Sequence, residues 1–190
     1  MNMTQLIALS GSLRANSFNQ QLVEIAAEGA REQGVEVRVI NLADYPMPLF
    51  SEDLEAEGVP AIVNDLKQQF AESQGILLAS PEYNGSISGV LKNAIDWLSR
   101  PSAQTDIGPA FADKVAGIMA TSPGGLGGIR GLVHARDVLF NLGVTVSPNQ
   151  VAVPSAYQAF DEQGQLSDAE TAERVKGLGA QIAQMAQKLA

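Results

Sequence analysis

Two stretches of this chain carry residue types that can do chemistry. The first is Gly11-Ser12-Leu13-Arg14-Ala15-Asn16-Ser17-Phe18-Asn19. Ser12 and Ser17 supply hydroxyls, Asn19 an amide, and Arg14 a fixed charge suited to phosphate oxygens. Ser17 and Gln20 have the capping-box spacing that starts a helix. A helix N-terminus adds unpaired N–H groups and partial positive charge, so an anion is held there. A plain capped turn accounts for Ser17 and Gln20, but not for Ser12, Arg14 and Asn19 together. One cationic side chain suits a monophosphate. The loop matches neither G-x-x-x-x-G-K-[ST] nor G-x-G-x-x-G, which argues against nucleoside-triphosphate chemistry and a conventional dinucleotide fold. Ser10-Gly11 also lacks the acidic residues that a phosphoacceptor domain needs at the end of its first strand.

The second stretch runs from Ser80 to Trp97. Ser80-Pro81-Glu82-Tyr83-Asn84-Gly85-Ser86 is a polar turn whose backbone N–H groups could serve a flat, polar ring system. A third loop, Thr121 to Gly128, holds four glycines within five positions, which would let a ligand approach the backbone closely. A tight connection without ligand is the plainer account of it, but four glycines so close together cost chain entropy, which favours a functional loop. Glu82 and Asp96 could be paired carboxylates for acid–base work, but about three helical turns separate them. His134 has no Ser or Asp placed as triad partners, so a structural or solvent-facing role is the better reading. Trp97 reads as core or interface. Tyr83 can be read as ring contact or packing, and Met119 and the other methionines read as core.

These loops must be positioned by regular elements. Thr4 to Leu9 is a short apolar strand, and the helix from Ser17 presents Leu22, Ile25, Ala26, Gly29 and Ala30 at helical spacing, with Gly34 at its C-terminus. Val35 to Ile40 alternates as a strand does. Asn41 to Gly58 reads as a long irregular segment around Tyr45-Pro46-Met47-Pro48-Leu49-Phe50, with acidic residues Glu52, Asp53, Glu55 and Glu57. A helix is predicted over Val59–Ser73, with Pro60 near its first turn and Ile62, Leu66 and Phe70 on its buried face. The strand Gly75–Ala79 precedes the polar turn. The helix Ser88–Ser99, with Val90, Leu91, Ala94, Ile95 and Leu98 on one face, follows it. Pro101 to Asp113 reads as irregular. Lys114–Thr121 is a fourth strand and Ile129–Leu142 a helix ended by Gly143. Val144–Val153 is a fifth strand interrupted by Ser147-Pro148-Asn149. Ser167-Asp168-Ala169-Glu170 reads as a capping box for a last helix.

Five strands alternating with five helices are the pattern of a doubly wound parallel α/β sheet with helices on both faces. Residues 1–190 read as a single domain. In a flavodoxin-like strand order, 2-1-3-4-5, the loops after strands one, three and four are neighbours at the carboxyl edge, where ligands bind.

Composition narrows the function. A net charge of −9 repels phosphate backbones and anionic lipid surfaces, so nucleic acid and membrane are not expected partners. There is no cysteine and one histidine, which removes thiol chemistry and makes a zinc site implausible. Met1-Asn2-Met3-Thr4 lacks the basic region of a secretory leader. A cytoplasmic location is compatible with all of this.

Gly11-Ser12-Leu13-Arg14 with Ser17-Phe18-Asn19, then Pro81-Glu82-Tyr83-Asn84, then Gly89-x-Leu91-Lys92-Asn93-Ala94-Ile95-Asp96-Trp97, resemble the NAD(P)H-dependent FMN reductase family. The branch of quinone, chromate and azo-dye reductases is the most similar. Thr121-Ser122-Pro123-Gly124-Gly125 and Phe160-Asp161-Glu162-x-Gly164 look like that family too. The resemblance implies a non-covalent FMN. Ser12, Arg14, Ser17, Phe18 and Asn19 would hold its 5′-phosphate. Pro81, Glu82, Tyr83, Asn84 and Gly85 would line the isoalloxazine ring, and Ser122 would touch it from the fourth loop. It also implies a homodimer or homotetramer with the helix after Gly85 at the interface. NADPH or NADH would be the co-substrate and small-molecule acceptors (quinones, chromate, azo compounds, free flavin) the electron sink. Hydride would pass from nicotinamide to flavin and on to the acceptor in the same cleft. No catalytic side chain and no metal ligand is implied. The competing account is a flavodoxin-type electron carrier or a flavin-dependent redox sensor; Arg14 in the loop and the scarcity of aromatic neighbours argue against the carrier.

Overall fold

The computed structural model describes residues 3–101 and 106–189. Five strands, β1 (Gln5–Ser10), β2 (Glu36–Asn41), β3 (Gly75–Ala79), β4 (Val115–Thr121) and β5 (Thr145–Val153), form one parallel sheet in the order 2-1-3-4-5. Every residue of β3 and β4 is buried. That explains why these strands read as continuous apolar runs: both faces of the sheet are covered.

Because successive side chains of a strand point to opposite faces, the sheet divides two cores. On one side Leu6, Ala8, Leu77 and Met119 pack against α1 (Phe18–Arg31) and α7 (Ala169–Leu189). On the other, Ile7, Leu9, Ile76, Leu78 and Ile118 pack against α3 (Ala61–Glu72), α4 (Gly89–Leu98) and α5 (Ile129–Asn141). Between β2 and α3 lie a 3-10 turn (Leu42–Asp44) and α2 (Glu52–Glu57). After β5 comes the single turn α6 (Ala156–Ala159). Among the described residues this gives seven α-helices rather than the five expected.

Local chemistry explains most element ends. Ser17 Oγ accepts from the Gln20 N–H and Ser88 Oγ from the Leu91 N–H, so both serines cap the helices they precede. Gly34, at φ +78°, turns the chain from α1 into β2. The register between β4 and β5 shifts around Ala116 and Ile118, where Ser147-Pro148-Asn149 bulge out of β5. The irregular stretch 106–113 has no regular element; the rest of the Pro101–Asp113 segment lies partly outside the described residues, as do Met1 and Asn2.

Several expectations need correction. The acidic run is not a loop but α2, whose first-turn Glu52, Asp53 and Glu55 offset the positive end of the helix dipole. It buries no residue, so no apolar periodicity advertises it. Helix α3 starts at Ala61 rather than Val59, with Pro60 as its N-cap beside the first turn. The buried face of α3 is Val63, Leu66, Lys67 and Phe70, with Ile62 half-buried. Asp168, not Ser167, caps α7: its carboxylate accepts from the Thr171 N–H at 2.8 Å and the Thr171 hydroxyl at 2.6 Å. Met119 is core, whereas Met3 is exposed.

At the amino edge of the sheet, buried Lys67 and Lys114 donate to the Arg100 and Ser73 carbonyls, at the C-termini of α4 and α3. Burial pushes both ammonium groups below their ordinary value. Their hydrogen bonds satisfy helix-end carbonyls, so that edge is built for support.

Candidate active site

The carboxyl edge is arranged differently. The β1–α1 loop, the turn after β3 and the loop after β4 border one cleft, lined by Ser12, Arg14, Ser17, Phe18, Asn19, Pro81, Glu82, Tyr83, Thr121, Ser122, Pro123 and Tyr157. Nine of the eleven residues singled out from the sequence therefore meet in one place. Asn84 and Gly85 form the tip of the adjoining turn and do not line the cleft.

Helix α1 brings its N-terminus to the cleft without an acidic residue in its first turn. The Phe18 and Asn19 N–H groups have no hydrogen-bond partner among the described residues. Ser12 Oγ accepts weakly from the Arg14 N–H at 3.3 Å. Arg14 stands at the mouth, with Nη2 donating to the Asn16 carbonyl at 3.0 Å and its guanidinium 5.0 Å from the centre of the Phe18 ring. Phe18 is itself stacked on Phe160 and edge-on to Tyr157.

Asn19 is engaged elsewhere. Its Nδ2 donates to the Thr121 carbonyl and its Oδ1 accepts from the Thr121 N–H, both at 3.0 Å. Its side chain thus bolts the first turn of α1 to the end of β4. Its backbone N–H is left without a hydrogen-bond partner among the described residues.

The turn after β3 is a tight hairpin. Tyr83 and Ser86 exchange two backbone hydrogen bonds, at 2.9 and 3.1 Å. Asn84 and Gly85 between them both have positive φ, +54° and +78°. These are the requirements of a type I′ turn, which Asn-Gly satisfies at least cost. The N–H groups of Glu82, Asn84 and Gly85 carry no hydrogen bond among the described residues. Tyr83 is exposed.

Glu82 points away from the opening. Its side chain is 7% exposed. The carboxylate accepts from Arg130 Nε at 2.7 Å and from the Arg130 and Gly131 N–H groups at 3.1 and 3.3 Å. It therefore caps α5. Burial alone would raise this carboxyl; the Arg130 and Gly131 hydrogen bonds and the Arg130 charge outweigh it and hold it below its ordinary value. With the N-terminus of α5 neutralised by Glu82, the open positive end at the cleft is that of α1.

In the β4–α5 loop, Gly127 and Gly128 serve the fold: at positive φ, a side chain on either would press on Val153 or Ala120. Gly124 and Gly125 face open space, with nothing but the Ser122 hydroxyl within 4.0 Å of an added methyl.

Other pairs resolve as ordinary structure. Asp96 pairs with Lys92 along α4 and shares nothing with Glu82. His134 is exposed, with Nδ1 2.8 Å from Ser86 Oγ. Trp97 is buried, and its Nε1 donates to the Pro48 carbonyl, which also accepts from Asn93. The motif around Asn93 and Trp97 thus clasps the 45–50 segment. Tyr157, 67% exposed at the cleft, went unnoticed in the sequence, although Phe160 nearby was not.

The residues fit a flat phosphorylated ligand, and comparison with known proteins names it. The sequence profile described as NADPH-dependent FMN reductase matches residues 4–158. This chain belongs to that family. It is an FMN-dependent NAD(P)H oxidoreductase. It is 36% identical to an NAD(P)H-dependent FMN reductase of Pseudomonas aeruginosa, over 90% of this chain and 89% of the relative. It is 39% identical to an NADPH:quinone oxidoreductase of Arabidopsis thaliana, over 90% and 86%. Among solved structures, the flavoenzyme FerB, an NAD(P)H:(acceptor) oxidoreductase from Paracoccus denitrificans, superposes with a TM-score of 0.82 at 28% identity, covering 98% of each chain. An archaeal flavodoxin at 14% identity and a TM-score of 0.61 shares the fold alone.

Proposed function

We propose that this oxidoreductase reduces quinones and related small acceptors in the cytoplasm, as a homodimer or homotetramer. The observation that carries the site assignment is the open, acid-free N-terminus of α1 beside Arg14, in the same cleft as the hairpin after β3. The Phe18 and Asn19 N–H groups, the Ser12 and Ser17 hydroxyls and Arg14 bind the FMN phosphate. The hairpin residues Pro81, Glu82, Tyr83, Asn84 and Gly85 receive the ring, the Glu82, Asn84 and Gly85 backbone N–H groups serving as donors, and Ser122 closes the β4 side. FMN, when bound, supplies the hydride and electron chemistry. The protein orients it and leaves one face reachable. No side chain in the cleft is assigned as acid or base, since Glu82 is tied to Arg130 and His134 lies outside the lining.

Quinones are supported by the names of relatives, an NADPH:quinone oxidoreductase of Arabidopsis thaliana and a quinone reductase of Pseudomonas putida, and by the exposed aromatic rings of Tyr83 and Tyr157 at the cleft. A self-association surface is supported by Leu126, Ile129, Val133 and Phe140, exposed at and along α5. The interface is assigned to α4 and α5.

The test is anaerobic. FMN-loaded protein is given NADPH, then NADH, and its absorbance followed; benzoquinone is added afterwards. Prompt bleaching by either nucleotide and recovery with quinone are expected. Bleaching by dithionite alone would overturn the reductase assignment in favour of an electron carrier.

A further inference from the structure

The hairpin that carries Tyr83, Asn84 and Gly85 is held from beneath by one helix at three points. Glu82 grips Arg130 and the first N–H groups of α5. Gly131 lies against the hairpin: a methyl group added to it would sit 3.3 Å from the Ser86 carbonyl oxygen and 3.5 Å from Glu82 Cβ. His134, three residues further on and so on the same helix face, meets the Ser86 hydroxyl at 2.8 Å. Arg130, Gly131 and His134 do not line the cleft. The hairpin's own two hydrogen bonds would not fix it, because an isolated two-stranded turn is marginal in water.

We propose that α5, through Arg130, Gly131 and His134, fixes where the hairpin N–H groups stand, and thereby sets the redox potential of the bound flavin. The inference rests on the assignment of this hairpin to the isoalloxazine ring. The shift of a bound flavin's potential from that of the free flavin is set by the ratio of its affinities in the oxidised and reduced forms. Donors beside the ring favour one form over the other only while they are held in place. A hairpin free to shift adapts to both forms and loses that discrimination. Arg130, Gly131 and His134 are positioning residues and touch no reactant.

Gly131→Ala separates position from stability. Alanine is the better helix former, while the added methyl, 3.3 Å from the Ser86 carbonyl oxygen, pushes the hairpin by a few tenths of an ångström; a melting temperature read beside the potential tells a shifted hairpin from a loosened fold. In a spectroelectrochemical titration of the FMN holoprotein, the ratio of oxidised to reduced affinity should change tenfold or more, about 30 mV for a two-electron couple. Arg130→Met should shift it likewise, and Arg130→Lys, which keeps one donor, should fall between. If wild type binds FMN but Gly131→Ala and Arg130→Met both leave the ratio within about threefold, roughly half that shift on the same scale, the inference fails and the site assignment stands. If wild type binds no FMN, the assignment fails and the inference with it.

Discussion

Replacing Asn19 by Leu tests whether this residue is a bolt or a ligand contact. Asn19 is 5% exposed, and its amide makes two hydrogen bonds to Thr121, both at 3.0 Å and across 102 residues of sequence. Leucine has the same branched arrangement of heavy atoms, with bulkier methyl groups and no polar atom. The Thr121 N–H and carbonyl would be stranded in a dry setting at the end of β4. Each stranded group costs about 1–3 kcal/mol, and the added apolar burial recovers a small part. The pair should therefore cost about 2–5 kcal/mol, a large share of the 5–15 kcal/mol typical of a domain. For a chain of this size that lowers Tm by about 4–20 °C. Urea unfolding of the FMN-free protein, followed by far-ultraviolet circular dichroism, measures it. Asn19→Asp keeps the acceptor to Thr121 but sets a carboxylate against its carbonyl, so it too should destabilise. If Asn19→Leu leaves the FMN-free protein within about 1 kcal/mol of wild type, below the cost of a single stranded group, while FMN affinity falls, the side chain acts on the ligand and the bolt is wrong.

Arg14→Ala should weaken FMN binding by about 1.5–3 kcal/mol, the range of a hydrogen bond to a charged group; flavin fluorescence titration reads this as a Kd raised roughly 10- to 150-fold. Glu82 has a depressed carboxyl, so its contribution is fully present above its ordinary value of 4.5 and is lost as pH falls through the folded value. The urea midpoint of wild type should therefore fall more steeply than that of Glu82→Gln as pH is lowered from 5 to about 3; parallel curves would contradict the Arg130 pairing. Phe140 is 77% exposed on α5, and Phe140→Glu should shift sedimentation toward the monomer at micromolar concentration, with a wild-type monomer refuting the assigned interface.

Local features of this chain were legible without coordinates. Gly75–Ala79 falls where the apolar run predicts, Ser17 caps the helix that its spacing announces, and the strand and helix rhythm yields a doubly wound parallel sheet, whose order 2-1-3-4-5 is the flavodoxin-like one. These follow from interactions within a few residues and from burial periodicity, both written into neighbouring side chains. The meeting of the three loops also follows, because parallel strands joined by right-handed crossovers leave little freedom. Helix α2 leaves no apolar pattern in the sequence because it buries nothing, and Ser167 and Asp168 are both good cap residues, so spacing alone does not decide between them.

The tertiary structure alone decided what each polar group at the site faces. Asn19 and Thr121 are 102 residues apart, Glu82 and Arg130 48, and Trp97 and Pro48 49. Each such pair depends on where two distant segments stop, not on the pattern of either. From the sequence, Asn19 and Glu82 are polar residues in binding loops. In the folded chain their side chains join helices to strands and turns, and the groups left open are the N-terminus of α1, Arg14 and the N–H groups of a hairpin. A polar group that is buried must find a partner, and which partner it finds is fixed only when the chain closes on itself.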